Sequence, residues 1–228
     1  MKDKNPVKKE RLENLKKASA LPFGKRMRYY FDFFKFHLLG AAVIALLVFL
    51  VLKEIVFAPE VILNGYVINR TEFASCTDEE FISSFPEYEK INPKKQKIYF
   101  GSDLFLNDND IDSTTKLVVN ASSGDIDYMI CNRETFDRLC RMGLLSNLED
   151  YPEIKAKYED ELIYYDHTKN DTSEDDSLGN KPYGINVSDS AVLKNFNVFH
   201  EDEDICLCLG INSNPTDILY KFIEWIKQ

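Results

Sequence analysis

Asp108, Asp110 and Asp112 stand at alternate positions, the spacing with which an oxygen-ligated calcium loop begins. Such a loop next needs a glycine for its sharp turn and a bidentate glutamate at its close. This chain has Ser113 and Val119 there, so the triplet reads as a solvated loop. Cysteine is the second candidate. The 5 cysteines are an odd number and cannot all pair. Cys206 and Cys208 lie two apart on an expected strand, share a face and cannot easily bridge each other. No second pair of ligands accompanies them to complete a zinc site. Buried free thiols are expected at Cys131, Cys140, Cys206 and Cys208, with a bridge from Cys76 left open. Of the 3 histidines, His37 sits in an apolar run and His167 and His200 in polar loops. The chain carries no GxSxG, HExxH, GxGxxG or phosphate-binding glycine loop. The expectation is therefore no enzyme, no catalytic residue, no cofactor and no metal.

The elements that would position any site alternate in type. Val61–Ile68, Lys97–Gly101 and Ile126–Cys131 read as strands, as do Tyr183–Val187 and Asp204–Gly210. Thr77 and Glu80 have the spacing of a capping box, which opens a helix reaching about Phe85. Ser113–Ala121 reads as a short helix. Asn132 caps another, with Phe136, Leu139 and Cys140 on its buried stripe and Gly143 at its end. Asn214-Pro215 opens the last helix, with Pro215 at its first position. Its apolar face is Ile218, Leu219, Phe222, Ile223 and Ile226. Strands alternating with helices imply an α/β sheet with parallel members. Residues 166–181 are nearly without apolar side chains and read as a mobile acidic loop.

Ahead of this domain lies the run FHLLGAAVIALLVFLVL, Phe36–Leu52, which reaches the length of a bilayer core if continued to Phe57. Residues 1–36 hold 11 Lys+Arg and 4 Asp+Glu, whereas residues 37–228 hold 17 and 34. Basic flanks stay in the cytoplasm, so the run reads as a retained single-pass anchor with the C-terminal domain outside. The rival reading is a leader cleaved after Ala58, which has a small-residue site but a preceding segment longer than a leader needs. No cysteine follows closely enough for a lipoprotein anchor. The basic arm packs Tyr29, Tyr30, Phe31, Phe33, Phe34 and Phe36 among Lys25, Arg26, Arg28 and Lys35, an interfacial composition suited to lipid rather than to nucleic acid. The domains are thus an arm over 1–35, a transmembrane helix over 36–57 and an outer domain over 58–228.

The stretch GDIDYMICNRETFDRLCRMGLLSNLEDY resembles the extracellular solute-binding proteins that serve ABC importers, of the type 2 periplasmic-binding fold. The resemblance rests on Gly124, Asp125 and Asp127 entering a strand, on Phe136 and Leu139 in a helix, and on Gly143, Leu145 and Leu148 beyond it. KPYGINVSD, Lys181–Asp189, is similar to the hinge strand of that family, and DILYKFIEWI to its returning helix. The arrangement of arm, span and lobe is similar to membrane proteins of clostridia-like bacteria. The resemblance implies one periplasmic-binding-like lobe with a mixed, mainly parallel sheet. It also exposes a departure. Only about 25 residues separate Asn186 from Ile211, where the family places a second lobe.

A ligand site in such a lobe belongs at the carboxyl ends of the strands. Ser102 and Asp103, Asn132, and Tyr183 and Asn186 occupy those ends. Tyr183 would offer a stacking face, and Ser102 and Asn132 hydrogen bonds. The same residues also serve as caps and core. Half a cleft cannot bury most of a small molecule, so the first expectation is a non-enzymatic, membrane-anchored binding or interaction domain, accessory to an ABC transporter or another envelope complex. The alternative is a tethered receptor for a small solute, and a hydrolytic enzyme stands behind both.

Overall fold

The computed structural model describes residues 13, 16, 17, 19, 20, 22–56, 58–71, 75–106, 111–170, 179–214 and 216–228. The chain divides into two compact units, Met1–Ala58 and Pro59–Gln228.

The first unit contains helix α1, Phe23–Val56. Its described apolar side chains point outward on every side: Leu39, Val43, Ile44, Leu46, Leu47 and Phe49 are all exposed. A helix apolar all round is built for an apolar environment. Among the described residues, however, no helix is long and apolar enough to cross a membrane. A transmembrane helix over 36–57 therefore remains an inference from sequence.

The second unit is built on one mixed sheet of 6 strands in the order β2-β1-β3-β6-β5-β4. The strands are β1 Glu60–Ile68, β2 Gln96–Leu104, β3 Tyr128–Asn132, β4 Leu162–Asp166, β5 Asn180–Asn186 and β6 Ile205–Leu209. β1 pairs in parallel with β2 and β3. β6 inserts antiparallel between β3 and β5, and β4 lies antiparallel on the far edge. Parallel pairing is thus confined to β2-β1-β3, and the second half of the sheet is antiparallel. The helices are α2 Asp78–Ser83, α3 Ile111–Ser122, α4 Arg133–Arg141, α5 Pro152–Lys157, α6 His167–Asn170, α7 Ala191–Asn195 and α8 Asp217–Ile226.

Alternation along the strands sends side chains to two cores. On one face Leu63, Val67, Phe100, Ile130, Ile185 and Leu207 meet α2 and α8. There Phe81 lies 5.4 Å from Trp225, Phe85 5.5 Å from Phe222, and Tyr128 4.2 Å from Phe222, measured between ring centroids. On the other face Tyr66, Met129, Cys131, Cys206 and Cys208 meet α3 and α4 through Leu117, Phe136 and Leu139. The aromatic rings add edge and offset contacts worth about 1 kcal/mol each beyond area burial.

Local chemistry sets the helix ends. The Thr77 hydroxyl accepts from the Glu80 amide while Glu80 accepts from the Thr77 amide, as the capping box requires. Gly143 takes φ +66° after α4. The Gly143 amide donates to Cys140 O at 2.9 Å and the Leu144 amide to Leu139 O at 3.1 Å, closing the helix with a Schellman motif.

Several expectations change. α5 and β4 were not foreseen. Much of 166–181 is ordered: Asp166 ends β4, His167–Asn170 is helical, and Asn180 and Lys181 begin β5. The acidic stretch 171–178 lies outside the described residues, as do Asp108, Asp110 and Pro215. The last helix begins at Asp217 with Thr216 at its N-cap position, two residues later than expected.

Gly210, just past β6, has no room for a side chain: a Cβ there would lie 2.3 Å from the Ile126 carbonyl oxygen. That oxygen belongs to the backbone just before β3, which the Asp127–Asn64 hydrogen bonds hold against β1, so it cannot easily move aside. Gly210→Ala is expected to destabilise the outer unit by about 2 kcal/mol or more, read as a lower urea midpoint at unchanged slope. A change within about 0.5 kcal/mol would show that the two segments are not so closely apposed.

Candidate functional site

The carboxyl ends of β1, β2 and β3 are tied together by side chains. Asn69, directly after β1, adopts φ +57°, a left-handed conformation that asparagine tolerates better than most residues. Its amide nitrogen donates to Thr135 Oγ1 at 2.8 Å and to Leu106 O at 3.3 Å. Its oxygen accepts from the Leu106 amide at 2.7 Å. One side chain thus joins the ends of β1 and β2 to the start of α4. Next to it, Arg70 Nη1 pairs with Asp78 Oδ1 at 3.3 Å, and the buried Ser102 hydroxyl donates to that same oxygen.

The five expected site residues do not converge. Ser102 serves Asp78. Asp103 is exposed and pairs with Lys116 Nζ of α3 at 2.7 Å, and this bond raises the lysine's pKa. Asn132 Oδ1 accepts from the Thr135 amide at 3.1 Å and caps α4. The Tyr183 hydroxyl lies 3.0 Å from His167 Nε2. Asn186 Oδ1 accepts from the Ser188 amide at 2.9 Å, and its carbonyl accepts from Lys227 Nζ at 2.9 Å. His167 is not the polar-loop residue expected. It is buried, edge-on to Tyr165 at 4.8 Å and to Tyr183 at 5.4 Å between ring centroids.

What covers the strand ends is the connection between β5 and β6. Residues 187–204 fold back across them, with α7 at the near end. The Thr71 amide donates to Val198 O at 2.9 Å and the Ser75 amide to Phe196 O at 3.0 Å. Phe196 sets its edge on Phe81 at 5.4 Å, and Val198 is buried. Beneath them, Val67, Arg70, Cys76, Phe100, Ser102 and Val198 border a cavity of only about 10 Å3. That volume admits about one water molecule. The β5–β6 connection thus fills the space over the carboxyl ends of β1 and β2. Sequence reasoning missed Asn69, Arg70, Asp78 and Val198. An asparagine directly after an expected strand, a residue type that tolerates a left-handed turn, is the signal that could have found Asn69.

A larger cleft of about 330 Å3 opens on the outer side of the same connection. Ser188, Lys194, Asn197, His200 and Glu203 line it over a floor of Leu193, Phe199 and Ile205. The Ser188 hydroxyl is already engaged, accepting from the Ile205 amide at 2.8 Å.

The motif residues that carry the family resemblance perform structural work. Gly124 has φ +76°. Asp127 Oδ2 accepts from the Asn64 amide at 2.8 Å, Asp125 accepts from the Ser123 hydroxyl, and the Asn64 side chain donates to Asp125 O. Together they latch the turn before β3 to β1. Burial raises the Asp127 pKa, and the Asn64 amide partly offsets that rise.

None of the 5 thiols is in a disulfide. Cys131, Cys140, Cys206 and Cys208 are buried in one core, on one face of the sheet. Burial drives the Cys206 and Cys208 thiols far above their usual range and also raises half-buried Cys76. A protonated, enclosed thiol is neither a nucleophile nor a ready metal ligand. Among the described residues no group of three His, Cys, Asp or Glu side chains is placed to hold a metal ion.

No protein-family model matches the chain, and no curated protein matches it. Among solved structures it is similar to an ABC substrate-binding protein from Listeria monocytogenes, determined in complex with cycloalternan. The identity is 22%, over 56% of this chain and 29% of that one, with a TM-score of 0.29. The chain therefore spans under a third of that protein's length. So slight a superposition carries no functional weight.

Thiol burial gives a direct check. In the native full chain at mildly alkaline pH, iodoacetamide is expected to modify Cys76 alone, the other four cysteines reacting only after denaturation. Native modification of Cys206 or Cys208 would contradict the buried arrangement.

Proposed function

We propose that this chain is a single-pass membrane protein whose outer unit, Pro59–Gln228, is a non-enzymatic binding and interaction domain. The N-terminal arm lies in the cytoplasm and the α/β unit outside, accessory to an ABC transporter or another envelope complex. The observation that carries the interaction reading is the plug. Residues 187–204 occupy the strand ends and leave about 10 Å3 at Ser102. A small molecule needs a pocket of at least a few hundred Å3 that buries most of its surface. With that groove filled by the chain itself, the outer surface is what remains for recognition. Support for the anchor comes from the outward apolar side chains along α1 and from the 11 basic residues that precede the run. The non-enzymatic reading is supported by the protonated thiols and by the dispersal of Ser102, Asn132, Tyr183 and Asn186 into structural contacts.

The cleft beside His200 and Glu203 supports a second reading, a tethered receptor for a small solute, because its volume of about 330 Å3 is at the lower end of ligand pockets.

The two readings separate in paired experiments on the full chain. Carbonate-washed membranes from its native host should retain it, and mild detergent should release it with one membrane-protein partner in fixed stoichiometry. A reproducibly solitary protein would contradict the accessory role. A solute panel that includes cycloalternan should leave its melting temperature unchanged. A concentration-dependent rise following RT ln(1 + [L]/Kd) would instead establish the receptor.

A further inference from the structure

Residues 90–97, KINPKKQK, hold four lysines and no acid, whereas the whole of Pro59–Gln228 holds 16 basic and 33 acidic residues. A quarter of the unit's cations thus sit in one short stretch that runs from the last residue of a 3-10 turn, Tyr88–Lys90, through a loop holding Lys94 and Lys95 to the second residue of β2. The loop is held rigidly. Asn92 Oδ1 accepts from the Lys94 amide at 3.1 Å, and Asn92 O accepts from the Lys95 and Gln96 amides, both at 2.8 Å. Lys90, Lys94, Lys95 and Lys97 are all exposed. Lys90 pairs with Glu87 at 2.6 Å and Lys97 lies 5.6 Å from the Tyr99 ring centroid. Beside them Pro59, Tyr88, Ile91, Pro93 and Ile98, with a single acid, Glu89, line a largely apolar cleft of about 360 Å3. Cations around apolar and aromatic side chains are the composition that settles at a headgroup layer.

The loop's place along the chain selects the partner. The Glu60 amide donates to Lys95 O at 2.8 Å, and Glu60 is four residues past Val56, the last residue of α1. Four residues of extended chain reach at most about 14 Å. If α1 is the anchor, Lys95 cannot be far from the membrane surface. The strongly acidic remainder of the unit is repelled by the same surface that attracts the loop, so charge alone selects which face turns inward.

We propose that the loop around Lys94 and Lys95 rests on anionic lipid headgroups and fixes the orientation of the outer unit on the membrane. This rests on the anchored reading above.

The test uses the full chain reconstituted in nanodiscs of phosphatidylcholine alone or of an equal mixture with phosphatidylglycerol. Acetylation of each lysine by a water-soluble ester is followed by mass spectrometry. Lys94 and Lys95, and to a lesser degree Lys90 and Lys97, should react more slowly in the anionic discs, about threefold or more at Lys94 and Lys95, the difference should vanish in high salt, and Lys194 should react equally in both. The double variant Lys94→Glu/Lys95→Glu should melt as the parent does and abolish the difference at Lys90 and Lys97. Equal rates in the two discs, or equal protection in both, would overturn the lipid contact while leaving the anchor standing. Failure of the chain to enter discs of either kind would overturn the anchor and this contact with it.

Discussion

A backbone N–H at the end of a strand must find an acceptor, in water or in protein. In an open groove, water or a ligand would serve. Here Thr71 and Ser75, just beyond β1, donate to Val198 and Phe196 of the β5–β6 connection. Those bonds set the connection's height over the sheet. They place Phe196 against Phe81 and let Val198 close the small space over Ser102. The same closure leaves the Arg70–Asp78 pair and the Ser102 hydroxyl joined in one network. With the groove sealed by the chain, the strand ends themselves leave room for about one water molecule.

Two outer surfaces differ in character. The cleft by His200 and Glu203 belongs to the connection itself and has a polar rim. The lysine-rich loop lies at the opposite end of β1, hydrogen-bonded to that strand's first residue, and interrupts an acidic surface. On the proposed reading, an anchored interaction domain needs both a fixed orientation and a free face, and these two regions would supply them.

What was legible in the sequence was mostly local. The Thr77–Glu80 box, the Asn132 cap and the Gly143 terminus are decided within a few residues, and each stands as read. The shared face of Cys206 and Cys208 follows from strand periodicity alone. The shortness of the segment after Asn186 was equally visible, but its destination was not, because it depends on pairing with residues about 120 positions earlier. For the same reason the sequence could not show what engages each of the strand-end residues. Tyr183 is engaged by His167, Asn186 by Lys227, and Asp103 by Lys116, all partners distant in sequence. β4 escaped notice because LIYYD lacks alternation and sits among charged residues, and its strand character comes from pairing with β5.

The central claim is that the strand ends are closed by residues 187–204 without any ligand. Hydrogen–deuterium exchange of the full chain, resolved at the Thr71 and Ser75 amides, tests it most directly. Both amides should exchange as slowly as the neighbouring strand β1, in the absence of any added solute. Exchange at the rate of an unstructured peptide would mean that the groove stands open, and the account of a self-plugged lobe would be wrong.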